Sequence, residues 1–146
     1  MKYFIHIVII LIVVGSLWFV LHKNEAPSYS EGKIKWIFHF KDGLEIAKIN
    51  QKPVLVFFTA SWCYWCRKLN NDVFMNDDVA HLANSFVNIL IDVDSQPDLI
   101  KIFGVRGVPD IYFMDFSRKK IIQYNGNRTA EDMVHQMRSS LKSFDL

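Results

Sequence analysis

Val54-Leu55-Val56-Phe57-Phe58-Thr59-Ala60-Ser61-Trp62-Cys63-Tyr64-Trp65-Cys66-Arg67-Lys68-Leu69 carries two structural signals in one short stretch. Val54 to Phe58 is an unbroken β-branched and aromatic run, the composition of a strand buried on both faces of a sheet. From Trp62 onward, apolar side chains recur at Cys66, Leu69 and Val73, three or four residues apart, which predicts a helix. Cys63 and Cys66 are the only two cysteines of the 146-residue chain. They sit in C-x-x-C spacing where the strand gives way to the helix.

That placement has chemical consequences. A thiol at a helix N-terminus faces unpaired backbone N–H groups and the positive end of the helix dipole. Both favour thiolate over thiol, so Cys63 is expected to titrate below the free value of ~8.5. Cys66, one turn later, is expected to be the more shielded thiol. The i, i+3 spacing sets its sulfur beside Cys63, where it can attack a mixed disulfide formed there. Three plainer readings compete. A structural disulfide over so short a loop removes little unfolded-state entropy. A zinc half-site lacks partners, because His6, His22, His39, His81 and His135 form no paired motif. Two free core cysteines fit poorly at a strand-to-helix turn. The redox reading is favoured, with no metal and no cofactor expected.

The flanking sequence supplies the rest of the domain. Ile34 to Phe40 reads as a short strand. Asp42-Gly43 reads as a break before a helix over Gly43–Asn50. Asn76 is expected to cap a helical stretch carrying Val79, Leu82 and Ala83. Phe86 to Val93 reads as a second buried strand. Pro97 opens a short helix that Gly104 ends. Ile111 to Met114 is a further strand, and Ser117 to Lys120 a polar turn into the last one at Ile121–Tyr124. Thr129 and Asp132 resemble a capping box ahead of a helix striped by Met133, Val134, Met137 and Leu141. The order β-α-β-α-β-α-β-β-α is that of an α/β domain. Strand–helix alternation implies parallel pairings with helices on both faces, and the last two strands form an antiparallel edge hairpin.

Composition adds limits. The chain is 51% hydrophobic, 14% aromatic and 22% charged, with a formal net charge of +2. Near-neutral charge argues against nucleic-acid binding. Collagen, coiled coil, disorder and a polytopic membrane protein do not fit these values. The apolar content is uneven: residues 1–22 hold 17 hydrophobic residues and one charge, Lys2. Tyr3 to Leu21 is a run of 19 residues broken only by His6, Gly15 and Ser16. As a helix it would span roughly 28 Å, about one hydrocarbon core. Its length, and the absence of an A-x-A pattern after it, favour an uncleaved anchor over a cleaved signal peptide. The expected organisation is a signal anchor or signal peptide over 1–23, a linker over 24–32 and one domain over 33–146. Such a segment acts as an export signal, so the domain is expected outside the cytoplasm, membrane-anchored or secreted. In a Gram-negative cell that is the periplasmic face of the inner membrane.

From Thr59 to Leu69 the sequence resembles the thioredoxin superfamily. Gly104-Val105-Arg106-Gly107-Val108-Pro109 resembles the loop that carries the family's cis-proline, at the usual distance from the cysteines. Lys68 to Phe74, Val79 and Ile91 to Asp94 are similar to the branch containing the C-terminal domain of DsbD-type disulfide reductases. The resemblance implies a thioredoxin-like fold with a central mixed sheet. It implies Cys63 as nucleophile and Cys66 as resolving thiol. Pro109 would lie against the cysteines, leaving the backbone of Val108 to pair with substrate. Trp62, Tyr64 and Trp65 would form an aromatic rim suited to apolar or partly unfolded polypeptide.

The implied activity is thiol–disulfide exchange, reduction favoured. Partners would be cysteine-containing exported proteins or an electron-donating membrane redox protein, with residues 3–21 in the membrane and the chain a monomer. A non-catalytic binding or chaperone-like module of the same fold is the alternative. The sequence departs from the family at two places. Phe57 stands where thioredoxins carry a buried Asp, and Asn70 where the reductase domain carries a Glu. Cys66 thus lacks the usual proton acceptor, desolvation should hold its pKa high, and resolution of mixed disulfides is expected to be slow.

Overall fold

The six strands of the sheet lie in the order β1-β2-β4-β3-β5-β6. They are β1 (Ser28–Tyr29), β2 (Trp36–Ile37), β3 (Val54–Thr59), β4 (Val87–Asp92), β5 (Asp110–Met114) and β6 (Ile121–Gln123). The helices are α1 (Phe40–Asn50), α2 (Tyr64–Leu69), α3 (Asp77–Ala83), α4 (Pro97–Phe103) and α5 (Ala130–Phe144), with a π-helical turn over Asn70–Phe74 continuing α2. This computed structural model describes residues 6–7, 11–15, 28–29, 32–119, 121–124 and 128–144. Most of the apolar run expected to reach the membrane lies outside the described residues. Among the described residues, no helix is long and apolar enough to cross a membrane.

β3 is the central strand, and Val54 to Phe58 are all buried, as a two-faced apolar run requires. It runs parallel to β4, with Val54 opposite Val87 and Thr59 opposite Asp92. Its other neighbour corrects the expectation of parallel pairing. β5 is antiparallel to β3, with Phe58 opposite Asp110 and Val54 opposite Met114. The connection through α4 therefore brings the chain back to the Thr59 end of β3, where β4 finishes, rather than across to the Val54 end. β6 closes the edge antiparallel to β5, as expected. β1 pairs antiparallel with β2, so part of the span read as linker extends the opposite edge.

Successive side chains alternate between the two sheet faces. Phe58 and Tyr112 meet Phe103 of α4, which also stacks edge-on against Phe40 of α1. On the other face, Phe57 packs between Trp36 of β2 and Phe74 of the π turn. α5 covers β5 and packs on α3, burying Met133 and Met137 completely.

Local signals for helix ends hold. Asn76 Oδ1 accepts from the N–H groups of Asp78 and Val79. Thr129 Oγ1 accepts from Asp132 N–H and donates to its carboxylate. Pro97 opens α4, and Gly104 ends it in the left-handed conformation at φ 68°. Two expectations fail for a shared reason. The strand over Ile34–Phe40 shrinks to Trp36–Ile37 because Phe40 already begins α1. Gly43 is no break; it lies buried inside α1. A Cβ there would stand 2.4 Å from Ile89 Cδ1, so the missing side chain lets the helix rest directly on β4.

Gly43→Ala is therefore expected to destabilise the domain by about 1–3 kcal/mol through overpacking, despite alanine's better helix propensity. Denaturant unfolding should show the loss, and a smaller one in an Ile89→Val background. A Gly43→Ala protein as stable as the parent would contradict this packing.

Candidate functional site

The carboxyl end of β3 leads through Ala60, Ser61 and Trp62 into Cys63, the N-cap of α2. Its extended backbone (φ −78°, ψ 101°) turns the sulfur over the first helical turn, where Sγ accepts from Cys66 N–H at 3.1 Å. This is the contact that a sulfur at a helix start is expected to make. Cys63 and Cys66 are joined in a disulfide, with their Cα atoms 5.3 Å apart. The expected difference in exposure between them is small in this oxidised state, at 4% for Cys63 and 2% for Cys66. Both cysteines are buried, and the exposed side chains around them provide the outer surface.

Those side chains are the expected aromatic residues. Trp62, Tyr64 and Trp65 are 65%, 62% and 63% exposed. Tyr64 and Trp65 meet edge to face with ring centroids 5.3 Å apart. Trp62 is fixed from below, its indole Nε1 donating to Asp94 Oδ2 at 2.9 Å. Asp94 is held in turn, since its N–H donates to Asp92 Oδ1 at 2.8 Å. Arg67 reaches back and donates to the Ser61 carbonyl at 2.8 Å. The loop before the cysteines is thus tied both to α2 and to the turn after β4.

The second expected segment arrives through the sheet. The Val108–Pro109 peptide is cis. Asp110 lies opposite Phe58, so Pro109 stands at the end of β3 from which the cysteine loop departs. Val108 and Pro109 are both half-buried. Four residues not foreseen from the sequence anchor this loop: Arg128, Asp110, Gln123 and Tyr112. Arg128 Nη1 donates to the Pro109 carbonyl. Asp110 is buried and accepts from Gln123 Nε2 at 2.9 Å and from Ile111 N–H at 3.0 Å. The Tyr112 hydroxyl lies 3.1 Å from Asp110 Oδ2 and 3.0 Å from the Phe103 carbonyl, and donates to one of them at a time. Burial, reinforced by the Asp110 charge, pushes the Tyr112 hydroxyl from 10.0 up to about 12.

Behind the disulfide, a cavity of about 520 Å³ reaches Cys66. Phe57 lines it where an acidic residue would stand in a thioredoxin, and Asn70 and Asn71 line it from the helix side. Phe57 is held in place by Trp36 and Phe74, with ring centroids 5.9 and 5.1 Å away. Among the described residues, no group of three His, Cys, Asp or Glu side chains is placed to hold a metal ion.

The chain is similar to known proteins. The family model Thioredox_DsbH, described as a protein of unknown function (DUF255), matches residues 21–106. The chain is 28% identical over 120 residues to "Disulfide bond reductase DsbH" of Chlamydia pneumoniae, covering 70% of each. It is 26% identical over 106 residues to "Thiol:disulfide interchange protein DsbD" of Campylobacter jejuni, covering 70% of this chain and 18% of that one. Spermatogenesis-associated protein 20 of Rattus norvegicus is 27% identical over 85 residues, covering 55% of this chain and 11% of that protein's length. Among solved structures, "DsbH Oxidoreductase" superposes with a TM-score of 0.61 at 23% identity, covering 75% of this chain and 85% of that one. A thioredoxin from Thermus thermophilus gives 0.68 at 20% identity, covering 77% and 91%. The fold is thus thioredoxin-like, an α/β arrangement around a mixed sheet.

The raised Tyr112 value fixes a pH dependence. Its neutral form is favoured by folding, so this contribution is intact below the unfolded value of 10.0 and is lost as pH rises toward about 12. Denaturant unfolding across that range should show the parent losing stability relative to Tyr112→Phe. A stability difference independent of pH would contradict the burial assigned to this hydroxyl.

Proposed function

The chain belongs to the Thioredox_DsbH family within the thioredoxin superfamily, and from that premise we propose that it is a thiol–disulfide oxidoreductase whose working pair is Cys63 and Cys66. The observation that carries this reading is the Cys63 sulfur at the start of α2, bonded to Cys66 and accepting from its N–H. Once the pair is reduced, the same N–H and the helix dipole stabilise a Cys63 thiolate. That thiolate attacks a substrate disulfide and releases one substrate thiol. Cys66 then attacks the mixed disulfide, releases the second thiol and restores the internal disulfide.

Reduction is the favoured direction, in line with the name of the DsbH relative. The substrates are cysteines of exported proteins or a redox partner in a relay. The exposed rim of Trp62, Tyr64 and Trp65 supports docking of apolar polypeptide, and Val108 with cis-Pro109 supplies the neighbouring backbone. The Tyr3–Leu21 run serves as export signal and anchor, which places the domain on the extracytoplasmic side of the membrane. Recovery of the full chain in membranes after alkaline washing tests the anchor.

A Cys66→Ser variant should accumulate mixed disulfides that are released by added thiol. The Cys63→Ser, Cys66→Ser double variant should trap nothing and lose activity in cells. Full activity of the double variant would instead favour a non-catalytic module that binds through the aromatic rim. With Phe57 in place of an acidic residue, resolution is slow. Phe57→Asp should accelerate it, while lowering stability by about 3 kcal/mol or more through lost aromatic packing. An unaccelerated Phe57→Asp protein would count against that assignment.

A further inference from the structure

Phe57 and Asn70 leave the resolving thiol without the two carboxylates that the resemblance leads one to expect. The sheet brings another carboxylate to the same place. β3 and β4 are parallel and in register, with Phe57 opposite Leu90 and Thr59 opposite Asp92. Residues paired in this way share a sheet face, so Phe57, Thr59, Leu90 and Asp92 all face α2. All four line the cavity that reaches Cys66. Asp92 is the one carboxylate among the described lining residues, and it is only half-buried. It stands open to solvent on one side, whereas a carboxylate at position 57 would be enclosed by Trp36 and Phe74. At about 520 Å³ the cavity is many times the share of one water, and Asn70, Asn71, Thr59 and Asp92 place polar groups in an otherwise largely apolar lining.

The remaining charges nearby are engaged elsewhere. Arg67 is turned to the Ser61 carbonyl. Asp94 is occupied by the Trp62 indole. Lys33, beyond Gly32, pairs with Asp77. β2 and β3 bring only Trp36, Phe57 and Thr59 to the cavity, and Phe38, Ala60 and Ser61 just beyond them add no charge.

We propose that Asp92 is the proton acceptor for Cys66, receiving the thiol proton through solvent in this cavity when a mixed disulfide at Cys63 is resolved. This rests on the oxidoreductase reading above. The Cys66 S–H gives its proton to the Asp92 carboxylate through solvent. The thiolate attacks Cys63 Sγ, the bond between Cys63 and the substrate sulfur breaks, and the substrate leaves as a thiolate. Asp92 then returns its proton to bulk solvent. Asp92 acts as a positioning group for that proton and does not touch the substrate.

The test uses the reduced full chain in excess over an aromatic disulfide reagent, 5,5′-dithiobis(2-nitrobenzoate). The first thiolate released reports attack by Cys63 and the second reports resolution by Cys66. Asp92→Asn keeps the Oδ1 that accepts from Asp94 N–H and removes only the basic carboxylate. The ratio of second-phase to first-phase rate should fall about tenfold or more near neutral pH, within the range of general-base effects. The parent ratio should show the pH dependence of general-base catalysis, and Asp92→Asn should lose it. The two proteins should converge in alkali, where Cys66 ionises unaided. Superimposable ratios from about pH 4 to 9, the span between ordinary Asp and Cys values, would overturn the proposal and leave the oxidoreductase reading intact. Absence of any first-phase release from the parent would overturn both.

Discussion

The site depends on one register: the antiparallel pairing that sets Phe58 of β3 opposite Asp110 of β5. It places the start of β5 at the finish of β3. Pro109 and the loop to Cys63 therefore share one end of the sheet, although they are more than forty residues apart in the chain. Had β5 run parallel to β3, as strand–helix alternation implies, Pro109 would lie at the Val54 end. A six-residue strand spans about 17–20 Å, so the cysteines and the cis-proline would then be a strand length apart. The Asp110 network and the Arg128 bond to the Pro109 carbonyl hold this strand start in place. The ties from Trp62 and Arg67 do the same for the opposing loop.

The second constraint is the aromatic filling behind the disulfide. Trp36, Phe57 and Phe74 occupy the space in which an ionised residue at position 57 would be surrounded by rings. A charge enclosed there would carry a large desolvation penalty, whereas three packed rings add apolar burial and edge contacts. The exchange favours stability over fast proton transfer at the resolving thiol. Asp92 lies further along the same sheet face and is open to solvent on one side. Stability and proton transfer are thus assigned to different strands of one face.

How much of this was legible in the sequence depends on how local each signal is. The β3 run, the CxxC position, the Asn76 cap, the Thr129–Asp132 box and the Pro97 and Gly104 helix ends are set by neighbours in the chain, and they appear as expected. Gly43 reads as a break because glycine after aspartate often punctuates the chain. Its actual role depends on Ile89, a contact no local pattern encodes. The direction of β5 and the shortening of the first strand are likewise tertiary. Trp62, Tyr64 and Trp65 stand out because large aromatics inside a redox motif are visible in one dimension. Asp92, Gln123 and Arg128 do not, since each matters only once the pairing of β3, β4, β5 and β6 is known. For Asp92 the one available signal is its position two residues beyond Leu90, on the face that parallel register gives to Phe57 and Thr59.

The central claim is that Cys63 and Cys66 form a working redox couple that favours reduction of its substrates. The most direct measurement is the reduction potential of that couple, by equilibration of the full chain in graded thiol–disulfide buffers. The expected result is a single two-electron transition near the ~−270 mV of thioredoxin. A transition near ~−120 mV, the range of a strong disulfide oxidant, would contradict it, as would a pair that fails to equilibrate with the buffer at all.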